Sequence, residues 1–362
     1  MHDYNCITLN SSRSFLISRY REYGFEMHIH LAILVSQISL SSTQNVNVVI
    51  QGATSIGETD DNFVCATLDW WPTEKCNYNQ CPWGKAGLLN LDLKKKGLIN
   101  AIKGDDPNMI TKIQDPSYLN QVAQTYKGVL NIVNKFKPQS GAWVSESGGA
   151  LHGGAKDLSP TFADGFWYLD QLGMASTYNH KVFCRQTLIG GNYALLNTTT
   201  SIPNPDYYGA LLWHRLMGST VLAVTQESNP NLRVYAHCAK KKPGISIIFI
   251  NLSKDSSFNV TLSNYEHQSR NSRSTDVAKP EFRGSKDREE YHLAALAGNI
   301  QGQIVLLNDV PMVPTETFDI PTMEPKLVNA STPISIAAHS IVYVTIETFK
   351  PCTVLKLHHY FI

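Results

Sequence analysis

The run Ala142-Trp143-Val144-Ser145-Glu146-Ser147-Gly148-Gly149-Ala150 sets one carboxylate between an apolar stretch and two glycines. Apolar residues leading into a single charge, with small residues after it, describe a buried strand whose end faces open space. In a (β/α)8 barrel the C-terminal strand ends carry the chemistry. A carboxylate there suits the nucleophile of a glycosidase, which attacks the anomeric carbon of a sugar. Such a site needs a second carboxyl group as proton donor, and no convincing one stands out. Asp69 ends another apolar run, Phe63–Asp69. His152 and His180 stand apart from other ligand-type residues and read as surface histidines, so no metal is expected.

Alternating elements must position these residues. Tyr118–Phe136 reads as a helix with Val122, Tyr126, Val129, Leu130 and Val133 on one face. Ser159-Pro160 supplies an N-cap and first-turn proline for a helix through Phe166, Leu169 and Leu172, which Gly173 is placed to stop. Lys181–Ile189 reads as a strand running into Gly190-Gly191-Asn192-Tyr193, and Tyr207–Met217 as a short helix. Upstream, Val46–Ile50 and Phe63–Asp69 read as strands, Trp70–Trp83 as a loop, and Leu88–Ile102 as a helix. From about Ser219 short β-rich runs take over: Val221–Val224, Leu232–His237, Ile245–Asn251, Asn259–Leu262, Ile304–Leu307 and Ile341–Ile346. Strands so spaced, without helices, indicate a β-sandwich.

The 362 residues suffice for two domains, and a composition of 43% hydrophobic and 17% charged residues is globular. A net charge of +1 gives no bulk electrostatic case for nucleic acid or membrane binding. The clusters Lys94–Lys96 and Lys240–Lys242 and the loop Arg270–Arg288 read as solvated surface, or as a rim attracting an acidic polysaccharide. None of the seven cysteines forms a Cys-x-x-Cys pair, and Cys76 and Cys81 are close enough in sequence to bond to each other. Sequons at Asn10, Asn197, Asn251, Asn259 and Asn329 favour a secretory route, where disulfides form. His28–Ser42 resembles the apolar region and exit of a signal peptide, with Met27 as an alternative start; a buried strand is the other reading.

With these residues in view, the chain resembles the heparanase family of glycoside hydrolases (family 79), especially its plant-type members. The resemblance rests on Phe63–Trp83, Trp143–Ala150, Phe166–Ala175, Arg185–Tyr193, Asn204–Leu212 and the C-terminal β-rich part. It implies a (β/α)8 barrel carrying a β-sandwich, and retaining cleavage of internal glucuronide linkages in acidic polysaccharides without a cofactor. Glu146 falls at the nucleophile position. Asp69, Gln186, Gly191 and Tyr193 match positions lining the substrate cleft, and Cys238 and Cys352 match a disulfide of the sandwich. The resemblance also admits an extracellular, cell-wall, lysosomal or vacuolar location and peripheral membrane attachment.

The chain departs from that pattern in its middle. The family's acid/base lies in an Asn-Glu motif, and no Asn-Glu dipeptide occurs here. Near Gly104 the sequence jumps from the first barrel helix to a segment before the helix that precedes Glu146. Asn62–Asp206 offers 145 residues, where a complete barrel takes ~250. Leu151 replaces an aromatic residue usual after the nucleophile loop. The expected architecture is therefore an α/β-plus-β chain: a leader (1–42), an incomplete TIM-type barrel (43–210, with 43–52 free to join the sandwich), a sandwich (211–352) and a tail (353–362). Three functions follow: a heparanase-type endo-β-glucuronidase impaired by loss of its acid/base, a non-catalytic glycan-binding or interaction protein, or a truncated product joined abruptly at Lys103–Asp106.

Overall fold

The computed structural model describes residues 42–68, 106–226, 229–264, 287–317, 319–347 and 352. The leader, the Trp70–Trp83 loop, the Leu88–Ile102 helix, Asp69, Cys76 and Cys81 lie outside these residues, as do Lys94–Lys96 and most of the Arg270–Arg288 loop.

In chain order the elements are β1 (Ser42–Glu58), β2 (Val64–Ala66), α1 (Met109–Lys112), α2 (Pro116–Leu119), α3 (Val122–Phe136), β3 (Ala142–Ser147), α4 (Asp164–Thr177), β4 (His180–Arg185) and α5 (Pro205–Leu216). Strands follow: β5 (Met217–Gln226), β6 (Leu232–Ala239), β7 (Ile245–Asn251), β8 (Ser256–Asn264), β9 (Asp287–Ala295), β10 (Val305–Leu307), β11 (Val310–Pro311), β12 (Lys326–Asn329), β13 (Ile334–Ile336) and β14 (Ser340–Ile346). The chain is thus mixed α/β with a large sheet content. No described helix is long and apolar enough to cross a membrane.

Two sheets form. The smaller has the order β2-β4-β3 and is parallel throughout. The larger runs β11-β10-β9-β14-β7-β6-β5-β1-β8-β13, with β12 also on β9. The strands expected to make two stacked layers are therefore one continuous hydrogen-bonded sheet. β1 explains the continuity: it pairs antiparallel with β5 and parallel with β8, and register shifts between Gln51 and Gly57 bend it. β13 returns to touch β14, so the sheet curls around a core that includes Ile50, Phe249, Phe258, Ile336 and Val344. β7 is buried along its whole length because Ile247 and Phe249 enter that core while Ile248 and Ile250 face the helices. Burial on both faces is why it reads as an unbroken apolar run.

α4 is the hub of the helical side. It begins at Asp164 and runs past Gly173 to Thr177, so Ser159-Pro160 is a turn before it rather than its start, and Gly173 is interior rather than a stop. The reason is contact: a Cβ on Gly173 would lie 2.2–2.3 Å from ring atoms of Tyr235. A glycine's cost in helix propensity is accepted where the β6 aromatic ring lies flat against the helix backbone. Asp170, fully buried, accepts from Arg233 Nε (2.7 Å) and from the Tyr235 hydroxyl (2.6 Å), fixing α4 to β6.

α3 carries the expected apolar face: Val122 and Tyr126 are buried and Val129, Leu130 and Val133 half-buried, while Ile132 and Phe136, off that face, are 60% and 71% exposed. Trp143 on β3 is 66% exposed, and β3 has a strand partner on one side only among the described residues.

Candidate active site

The parallel strands β2, β4 and β3 all point their C-terminal ends the same way, so Thr67, Gln186 and Glu146 emerge on one side of the sheet. Glu146 is half-buried near the end of β3. Val144 pairs with Phe183 and Ser147 with Arg185, so β3 spends three residues where β4 spends two. The extra residue is a bulge at Ser145–Glu146. It breaks the two-residue alternation of side chains, as bulges beside active sites do when they re-aim a residue.

The loops after β3 and β4 lock together next to this carboxylate. Gln186 N donates to Ser147 O at 2.8 Å, and Asn192 N donates to Gly153 O at 2.6 Å. A Cβ on Gly148 would lie 3.6–3.7 Å from Tyr193 Cδ1 and Gln186 Oε1, so Gln186 and Tyr193 close on the residue two beyond Glu146. Tyr193 itself is held between Gly154 (φ +87°) and Gly191 (φ +77°), where a Cβ would approach its ring to 2.9 and 3.2 Å. Of the sequence-derived cleft residues, Gln186, Gly191 and Tyr193 are thus gathered beside the Glu146 segment. β2 joins through Thr67, whose N donates to Arg185 O and whose O accepts from Leu188 N and Thr187 Oγ1.

Behind the loops lies a charged cluster that sequence reasoning missed. Arg185, fully buried, pairs with Asp164 and with Asp206 (3.0 Å), and its Nη2 donates to Tyr193 O at 2.9 Å. Its guanidinium carbon lies 5.0 and 4.8 Å from the ring centroids of Trp167 and Tyr168. One cation faces two carboxylates away from water. Burial raises the pKa of both carboxyls against the pull of Arg185, Asp206 to about 7. The three charges come from α4, β4 and α5, and no local spacing links them. The only signal was a charge inside each of three apolar segments. Neither Asp164 nor Asp206 is more than 3% exposed, so neither offers a proton to a substrate.

Other expectations need correction. His180 is 2% exposed and packs edge-on against Tyr126 at 4.8 Å; it is a core histidine, while His152 is exposed. Arg288 is buried and donates to Glu290, Asn329 O and Thr332 O, so that end of the basic loop is internal. Asn251 is fully buried, and its Nδ2 donates to Ser256 O and Ala337 O, both at 2.8 Å. A nitrogen so engaged cannot carry a glycan in the folded chain. Asn329 is exposed, and Asn197 and Asn259 are half-buried. Two disulfides are present among the described residues: Cys238–Cys352 ties β6 to the end of the chain's sheet region, and Cys65–Cys184 links directly opposed residues of β2 and β4. No group of three metal-ligating side chains occurs among the described residues.

A parallel sheet thus presents a carboxylate near a strand end, beside a glycine-rich loop pair. The comparisons give the class of the chain, a glycoside hydrolase. The model of the glycosyl hydrolase family 79 N-terminal domain matches residues 45–107 and 103–173. Heparanase-like protein 1 of Arabidopsis thaliana is 30% identical over an alignment 523 positions long, covering 88% of this chain and 96% of that protein. Heparanase-like protein 3 of the same plant is 42% identical over 249 residues (67% and 46%). Baicalin-beta-D-glucuronidase of Scutellaria baicalensis is 39% identical over 248 residues (68% and 44%). The chain belongs to the heparanase-like glycoside hydrolases of family 79.

Proposed function

We propose that this chain is a retaining β-glucuronide hydrolase of heparanase type that keeps its nucleophile, Glu146, and its sugar-binding loops but lacks the general acid. The observation that supports the reading is the bulged end of β3, where Gly148, two residues beyond Glu146, lies against Gln186 and Tyr193. Asp69 is assigned to the same sugar cleft on the family pattern. The loss of the acid is supported by several facts together. The family model matches in two pieces that meet at residues 103–107. The alignment with the first plant relative spans 523 positions against 362 residues here, so at least 161 positions have no counterpart. The uncovered Trp143, Ile132 and Phe136 lie where further barrel elements would cover them.

The chemistry follows. Glu146 attacks the anomeric carbon, a glycosyl ester forms, and the bond to the leaving oxygen breaks with its electrons going to that oxygen. A partner carboxyl about 5–5.5 Å away normally protonates the oxygen, a contribution of about 10²–10⁴ in rate. Without it, only leaving groups that stabilise their own negative charge depart. The decisive test uses 2,4-dinitrophenyl β-glucuronide, whose phenolate needs no proton. It should be cleaved, azide should accelerate release of the sugar as the β-glycosyl azide, and Glu146→Gln should abolish both. No cleavage by the native sequence, or equal cleavage by Glu146→Gln, rejects the assignment. Oligosaccharides with poor leaving groups should bind without turnover.

The sequons and the two disulfides support folding in an oxidising secretory compartment, with an acidic glycan as the partner. The two-piece family match also supports a second reading, a truncated product. Full-length transcript sequencing across Lys103–Asp106 separates the two: an insert restoring an Asn-Glu motif there makes the chain a joined fragment of an intact enzyme.

A further inference from the structure

A cavity of about 350 Å³ opens between the C-terminal end of α5, the turn joining β6 and β7, and the strands β9 and β14. This volume is at the lower end of small-ligand pockets. It does not belong to the Glu146 site. α5 holds Asp206 against Arg185 at one end and Arg215 on the cavity at the other, an axial separation of about 14 Å at the helical rise.

Four cations line the cavity: Arg215, Lys240, Lys241 and Lys242. Lys242 is spoken for, at 2.5 Å from Glu289 and 3.2 Å from Glu347. Lys240 Nζ donates to the carbonyl of Asp61 at 2.5 Å and feels the carboxylates of Asp61 and Asp60, so it is partly engaged. Among the described residues Arg215 and Lys241 have no carboxylate partner. Lys240 N donates to Leu216 O at 2.9 Å, so the turn and the helix end are stitched together and the cations are held as a group. Glu324 is the one lining carboxylate outside the Lys242 pair. The neighbouring His214 feels the result: burial, then Lys240, Lys241 and Arg215, hold it below its ordinary pKa. The floor is apolar and firm, formed by Leu212, Tyr291 and Met323, each buried.

A cationic rim over a small apolar floor fits one chemistry well. A uronic acid residue is a compact ring with C–H faces and a single carboxylate, and the rim offers a bidentate guanidinium and an ammonium. We propose that this cavity is a second saccharide site, which takes a uronate residue of an acidic glycan through Arg215 and Lys241 while its ring lies on the Tyr291–Met323 floor. The choice of saccharide rests on the glucuronide reading above; the cation cluster does not. A long acidic glycan held here and at the Glu146 cleft gains residence by linkage of two weak contacts.

The test is a hyaluronan tetrasaccharide, which carries glucuronate and no sulfate, titrated into the full chain at low salt while the imidazole signal of His214 is followed by NMR. An anion seated among these cations should raise the pKa of His214. Arg215→Glu with Lys241→Glu should weaken this contact by about tenfold or more and leave the melting temperature and dinitrophenyl glucuronide cleavage unchanged. Glu146→Gln should leave the His214 response intact, which separates failure of this site from failure of the nucleophile assignment. The proposal is overturned if His214 does not respond to the tetrasaccharide, if inorganic phosphate at equal ionic strength produces the same response, or if the double variant still responds.

Discussion

Arg185 Nη2 lies 2.9 Å from the carbonyl oxygen of Tyr193, so a fully buried guanidinium behind the sheet holds the loop after β4. The loop is positioned by charge as well as by glycine: Asp164 and Asp206 fix the guanidinium, and the guanidinium fixes the carbonyl. Removing Arg185 leaves two buried carboxylates facing each other. Arg185→Leu should cost about 3–5 kcal/mol of unfolding free energy, measured by urea denaturation, and no loss would mean that the pair is already neutralised by protons.

Two buried groups make stability depend on pH in opposite directions. Asp206 is raised from 3.8 to about 7 by burial, so the folded chain favours its protonated form. Its contribution is full below the unfolded value and is lost as pH rises through about 7. His237 is lowered from 6.5 to about 4 by burial, so its contribution is full above 6.5 and is lost as pH falls through about 4. Between these limits the slopes oppose each other. Relative to the native sequence, Asp206→Asn should gain stability as pH rises from 4 to 7, and His237→Gln should lose it. Thermal melts across that range read both, and parallel curves for all three proteins would contradict the assignment.

Gly173 has no room for a methyl group, because Tyr235 occupies the space at 2.2–2.3 Å. Gly173→Ala should destabilise by about 1–3 kcal/mol through overpacking, despite alanine's better helix propensity. The double variant with Tyr235→Ala relieves the clash, so its cost should fall well short of the sum of the two single costs.

Glycan occupancy should follow exposure. In a secretory host Asn329 should be modified and Asn251 unmodified, since Asn251 Nδ2 is committed to two carbonyls. Mass spectrometry of tryptic peptides decides this; a glycan on Asn251 would mean that modification precedes and redirects the folding of β7.

The Cys238–Cys352 disulfide closes a sequence separation of 114 residues. Cys238→Ser should lower stability by about 2–5 kcal/mol, seen as a lower melting temperature under oxidising conditions and no further effect of a reductant on that bond.

The elements were largely legible along the chain, because the signals for them are local. Apolar runs located β6, β7 and β14, and the helix read at Tyr207–Met217 is α5, which starts two residues earlier at Pro205, since such signals are written in neighbouring residues. Where the period is interrupted for a distant reason the reading failed. Gly173 looked like a helix end and is a seat for Tyr235, and His180 looked like surface and is packed on Tyr126.

Glu146 was singled out by its own flanks, an apolar strand before it and glycines after it. Sequence alone thus supplied the candidates: a carboxylate at a strand end, no Asn-Glu motif, and, only through the family resemblance, Gln186, Gly191 and Tyr193 as expected cleft residues. The tertiary structure decided which residues stand together. The bulge that turns Glu146 depends on pairing with β4, the Arg185 cluster draws single charges from three elements, and the cationic cavity joins a helix end to a strand turn. Each arises from contacts between segments far apart in the chain, and such contacts leave no local pattern to read.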